Sequence, residues 1–217
     1  MLPQADNTWT LFEAAHLLNR AGFGASPEEI NACHALGRVR AVESLLAPDE
    51  PMDAFPLPEW ADLKQATAGM RESMEERREL LKSLEGLPAE EVAKVRREKL
   101  KQRQRENRQT GLEARGWWFR RMLKTNAPLR EKMTLFWHDH FATSVQKVKQ
   151  PVLMIKQNEL FREHAFGSFK ELTQAILIDP AMLLYLDTQN SKKGKPNENF
   201  AREVMELFTL GEGNYTE

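Results

Sequence analysis

The chain has 217 residues, of which 41% are hydrophobic and 29% charged, with 31 basic against 32 acidic side chains. That is enough apolar material for one large or two small buried cores, and the balanced charge excludes a global nucleic-acid or membrane-surface signature. A single cysteine, Cys33, rules out an internal disulfide and a cysteine-rich zinc site, and it reads as a small buried apolar residue. The first residues, Met1-Leu2-Pro3-Gln4-Ala5-Asp6-Asn7, lack the basic start and apolar run of an export signal. No stretch approaches the roughly 18 apolar residues of a membrane span, so a cytoplasmic chain is expected.

Strand-type alternation is nearly absent and helix signals recur, so the expected class is all-α. Thr10 to Arg20 carries Leu11, Ala14, Ala15 and Leu18 at helical spacing. Ser26-Pro27-Glu28-Glu29 has a capping serine, proline at the first helical position and glutamate at the third, opening a helix that closes at Gly37. A further helix runs from Val39 to Leu46. Pro48, Pro51, Pro56 and Pro58 mark a linker.

Beyond it, Trp60–Leu84 and Ala89–Lys124 read as two long helices joined near Gly86-Leu87-Pro88, a protruding charged hairpin. The first arm has a seam of Leu63, Met70, Met74, Leu81 and Leu84; the second has almost none. Between Lys94 and Arg130 there are 13 Lys or Arg against 3 Glu. Such a stripe suits either a solvated face or a phosphate backbone, and the acidic residues of the first arm favour the solvated face. Nucleic acid is therefore the least favoured partner, behind a protein or polymer.

After Pro128 the chain becomes richer in apolar and aromatic residues. Helices are expected at Leu129–Phe141, Pro151–Ala165, Phe169–Ile178, Pro180–Tyr185 and Glu198–Leu210. The resulting organisation is residues 1–48, an insertion at 49–125, and residues 126–217 packing with 1–48 as a multi-helix bundle.

Helical spacing then selects candidate site residues. On the Leu129 helix it groups Leu129, Met133, Phe136, Trp137 and His140 into an inward stripe and turns His138 away, so that the two histidines cannot share a metal unless the helix ends between them. On the Pro151 helix Gln157 and His164 fall on the apolar face with Leu153, Leu160 and Phe161. On the last helix Glu203 falls within the arc of Phe200, Val204, Leu207, Phe208 and Leu210, beside Asn199 and Glu206. Glu198, Arg202 and Glu206 form a separate ladder.

A buried carboxylate needs a partner, and His140, His164, Arg162, Arg202, Asn197 and Asn199 are the candidates. Two readings stand. A histidine and glutamate converging from different helices would suit general acid–base or metal-assisted chemistry, with His140, His164 and Glu203 as catalytic residues. Alternatively, the polar groups form a network that fixes helix packing, and the chain is a non-catalytic helical scaffold that binds a protein or polymer through the charged hairpin. The paired spacing of di-iron carboxylate bundles is absent, and no cofactor is identified. A polar loop holding Asp187, Asn190 and Asn197 surrounds Lys192-Lys193-Gly194-Lys195 ahead of the last helix, where an anion would be attracted; a simple capping turn is the alternative. It lacks P-loop glycines.

Four segments carry a resemblance: Ala15 to Gly24 (AHLLNRAGFG), Thr134 to Ser144 (TLFWHDHFATS), Asp179 to Asp187 (DPAMLLYLD), and, most specific, Pro196 to Gly211 (PNENFAREVMELFTLG). The chain resembles, nearly end to end except across the charged hairpin, the bacterial family known as domain of unknown function 1800. The resemblance implies no established activity. It implies that members continue well beyond Glu217 into a second helical half, so the chain is expected to be an N-terminal portion, and that some members are exported.

Overall fold

The computed structural model describes residues 8–47, 51, 54–62, 75, 76, 78–195 and 197–216. The architecture is all-α, and among the described residues the only β-type pairing is an isolated bridge between Lys192 and Lys195. None of the described helices is long and apolar enough to cross a membrane.

Three short helices begin the fold: α1 (Leu11–Ala21), α2 (Pro27–Leu36) and α3 (Arg38–Leu46). Reciprocal capping boxes start α1 (Thr10 with Glu13) and α2 (Ser26 with Glu29), each satisfying backbone donors that a helix start leaves free. Gly37, at φ 76°, takes the left-handed conformation that lets α2 turn directly into α3. Ala14, Cys33 and Ala41 form their shared core, with Trp9, Leu17, Leu18 and Ile30 packed around it.

The expected first arm of the hairpin lies for the most part outside the described residues, including Leu63, Met70 and Met74. Trp60 sits in a 3₁₀ turn, Glu59–Ala61, rather than in a long helix; of the expected arm, residues 75 and 76 and α4, residues 78–83, are described as helical, with Leu84 buried after them. The segment expected as the second arm, α5 (Ala89–Lys124), is a single helix of 36 residues, about 54 Å long. Its first half is exposed and its second half enters the bundle through Gly111, Trp117 and Arg121.

The bundle continues with α6 (Pro128–His140), a four-residue α7 (Val145–Val148), α8 (Pro151–Glu163), α9 (Phe169–Leu177) and α10 (Pro180–Tyr185). Prolines at the first helical position of α6, α8 and α10 set these starts. The main core gathers Phe141, Phe161, Leu172, Ile176, Met182, Leu186 and Phe208. Helix α8 is the axle: it touches α5, α6, α7, α9, α10 and the 3₁₀ turn, and none of its residues from Pro151 to Arg162 is exposed.

The last helix departs from expectation. It is α-helical only over α11 (Glu198–Glu203) and then widens into a π-helix, Val204–Thr209. A π-turn carries more residues than an α-turn, so the 3.6-residue count slips out of phase. Phe208 is buried, whereas Leu207 and Leu210, expected on the same inward arc, are exposed.

Candidate functional site

A helix packed on all sides must bury whatever it carries, and α8 carries Gln157, Asn158 and Arg162. Across from it, α6 presents Glu131, Thr134 and His138 at spacings of three and four residues, one face of a helix. Glu131 is 0% exposed. Its Oε1 accepts from Arg121 Nε at 2.9 Å and Arg162 Nε at 2.5 Å, and its Oε2 accepts from Arg162 Nη2 at 2.9 Å and Trp118 Nε1 at 3.1 Å. The Trp117 ring lies under both guanidiniums, and Phe55 also faces Arg121. Burial pushes the Glu131 carboxyl up, but the hydrogen bonds and charge of Arg162, with the charge of Arg121 and the Trp118 N–H, outweigh it and hold the group below its ordinary value.

Next to this cluster α5, α6, α7 and α8 line a half-open cavity of about 270 Å³. Trp117, Trp118, Met154 and Ile155 supply apolar walls, while His138, Thr143, Ser144 and Asn158 supply polar ones. None of the lining residues is acidic. The His138 ring is held between Trp118 and Phe161, at centroid distances of 5.2 and 5.8 Å. Burial lowers its pKa, with Asp139 opposing weakly, so the imidazole is neutral at pH 7. Among the described residues His138 Nδ1, Asn158 Nδ2, Arg162 Nη1 and Thr188 Oγ1 are buried polar atoms without a hydrogen-bond partner. Three of the four belong to this wall and the cluster behind it.

On the other face of α8, Gln157 is 0% exposed; its Oε1 accepts from Thr143 Oγ1 and its Nε2 donates to Asp179 Oδ2 at 2.8 Å. Asp179 caps α10 through the Met182 N–H, also at 2.8 Å. Burial raises the Asp179 pKa against the opposing hydrogen bonds from Met182, Gln157 and Ala181.

The residues singled out from sequence divide among separate places. His140 is half-buried amid Phe136, Trp137, Phe141, Phe169 and Phe208, and its Nε2–H donates to the Phe208 carbonyl at 2.9 Å. His164, half-buried, follows the end of α8. Glu203 is half-buried rather than buried, because the π-helix rotates the arc it was assigned to. Among the described residues, no hydrogen bond joins these three. Arg202 donates to Asn199 Oδ1 at 2.9 Å and Glu206 accepts from Tyr215 Oη at 2.6 Å, so the ladder from Glu198 through Arg202 to Glu206 does not close. Asn197 caps α11 and staples the preceding loop, its Nδ2 donating to the carbonyls of Leu186 and Asp187. Asp187 pairs with Lys147 at 3.0 Å, and Asn190 is exposed in the turn after it. Only Gln157 and Arg162 lie in the buried polar interface of α8.

His138 is the main correction. The apolar count on α6 turns it outward, yet α6 packs on two faces, and the face of Glu131, Thr134 and His138 is the more buried. Phe136, expected inward, is 53% exposed. Glu131 and Asn158 were not anticipated at all. The available signal was the helical spacing of Glu131, Thr134 and His138, matched by Asn158 and Arg162 four residues apart. Among the described residues no group of three or more His, Cys, Asp or Glu side chains is placed to share a metal ion.

Fold and geometry define a helix bundle with a closed ion-pair cluster backing a small cavity. The chain belongs to the family described as "Protein of unknown function (DUF1800)", which it matches over residues 16–217. Comparison with curated proteins and with solved structures gives no match.

Proposed function

We propose that this chain binds a small organic molecule in the cavity between α5, α6, α7 and α8, with His138 as its proton-exchanging or hydrogen-bonding residue. The observation that carries this reading is the pair of orphaned buried atoms on His138 and Asn158, both residues of the cavity lining. Each such atom costs roughly 1–3 kcal/mol, and apolar side chains would avoid that cost. A bound molecule supplying the missing partners recovers it. A neutral imidazole in a largely apolar wall also has the protonation state that a general base requires.

Gly111 supports the same reading. It lies in the interior of α5, where glycine is about 1 kcal/mol less favourable than alanine. A Cβ there would meet only Val145 Cγ2, at 3.9 Å, an ordinary contact. Packing does not demand the glycine, whereas open space in the cavity it lines is served by it. A hydrolytic or metal-assisted site built on His140, His164 and Glu203 has weaker support, since Phe208 engages His140 and, among the described residues, no hydrogen bond links the three.

The test is a ligand-observed NMR screen of single-ring fragments against the chain and against Ala114→Trp, which fills the cavity from α5. Fragments that bind the parent and not the variant are expected. If no fragment binds, or if all bind both proteins alike, the cavity is not a binding site.

A further inference from the structure

The polar groups of the cavity specify what kind of molecule it takes. Asn158 Oδ1 accepts from Arg162 Nη2 at 2.6 Å, which fixes the orientation of the amide, because the flipped rotamer would press NH₂ against a guanidinium. Nδ2 is therefore a donor with two N–H groups and no acceptor, a buried atom on a residue of the cavity lining. Arg162 stands behind it with Nη1 also lacking an acceptor, although its other nitrogens hold Glu131 and Asn158. The exposed Arg115 stands at the rim, and no carboxylate lines the space to oppose a negative charge. An unpartnered donor in a lining without acidic residues selects an anionic acceptor.

The rest of the lining sets the body of the ligand. Trp117, Trp118, Met154, Ile155, Val145 and Pro151 present rings and aliphatic carbons. The volume of about 270 Å³ exceeds the roughly 150 Å³ that holds benzene and falls below the roughly 300–1,000 Å³ of sites for drug-sized ligands. One ring or a branched chain with a compact head fits it. A planar, singly charged carboxylate suits the few donors present, whereas a phosphate dianion requires more donors than this wall offers.

Resting on the cavity reading above, we propose that the site selects small apolar carboxylates, whose head accepts from Asn158 Nδ2 and is favoured by the charge of Arg162, and whose body lies against Trp117 and Trp118. No covalent step is involved. Asn158→Asp is the discriminating variant: it keeps an oxygen for Arg162 Nη2 and replaces the cavity donor by a second oxygen.

Isothermal titration of the whole chain with phenylacetate, phenylacetamide and inorganic phosphate tests this, with Asn158→Asp and Ala114→Trp as variants and circular dichroism confirming that each is folded. Phenylacetate is expected to bind the parent ~10–100-fold more tightly than phenylacetamide, the span of a charge-assisted hydrogen bond, and to lose a similar factor in Asn158→Asp. The His138 imidazole resonances should shift on binding to the parent. Equal affinity for acid and amide, undiminished binding to Asn158→Asp, or phosphate binding as tight as phenylacetate would each overturn carboxylate selection while leaving the cavity a binding site. Binding of neither aromatic probe to the parent would remove the cavity reading itself.

Discussion

Two regions of this chain carry a carboxylate on an inward-leaning helix face, and they solve the resulting problem in opposite ways. At the α6–α8 interface Glu131 is fully enclosed, and both its oxygens are occupied by Arg121, Arg162 and Trp118. At the end of the chain Glu203 remains half in solvent on a helix that changes pitch beneath it. The comparison teaches that a charge on an apolar arc is resolved either by tertiary partners or by a local change of backbone that leaves it partly wet.

The strongest way to break the first solution is Glu131→Gln. It leaves two buried guanidiniums without their shared counter-charge, and breaking a buried pair from one side costs about 3–5 kcal/mol. For a chain of this size that lowers Tm by roughly 6–20 °C in a thermal melt. The pH dependence has a defined sign. Since the folded-state pKa of Glu131 is lowered, its contribution is fully present above the ordinary value of 4.5 and is lost as pH falls through the lowered one. The acid limb of the parent's stability curve should therefore be shallower in Glu131→Gln.

The next effect separates the two faces of α8. Gln157→Leu removes the acceptor of Thr143 and one donor to Asp179, for a loss of about 1–3 kcal/mol, measured by urea denaturation. Asp179→Asn keeps an oxygen for the Met182 cap and acts in the opposite direction with pH. The raised pKa of Asp179 means that its native environment favours the protonated form. Stability is full below the ordinary value of 3.8 and declines as pH rises through the raised one. Asp179→Asn should accordingly gain on the parent at pH 7 and show no gain at pH 3.

A smaller change tests whether the cavity is kept open at the expense of helix stability. Gly111→Ala should stabilise α5 by about 0.5–1 kcal/mol, raising Tm by a few degrees, while weakening fragment binding. A loss of stability would show that close packing, and not open space, requires the glycine.

These contrasts also explain what was legible in the sequence. Ala89–Lys124 and Pro180–Tyr185 fall where local signals place them, because prolines and helix-forming runs act within a few residues. The box of Ser26 and Glu29 is of the same kind. Helix α7 was not read because four residues carry too little periodicity, and the π-turn was not read because it requires abandoning the period on which the reading rests. At the site, Gln157 was visible as a polar residue within an apolar face. Glu131 was not, since Arg162 lies 31 positions away and nothing local joins them. The apolar count misses His138 because it allows a helix only one buried face.

The smallest effect sharpens the other half of the comparison. Glu203→Gln removes a charge that makes no ion pair among the described residues, so the change in stability should stay within about 0.5 kcal/mol, as for an ordinary surface substitution. Urea denaturation measures that change. A loss above about 2 kcal/mol would mean that Glu203 has a buried partner after all, making the two carboxylates equivalent and returning the terminal helix to the centre of the chemistry.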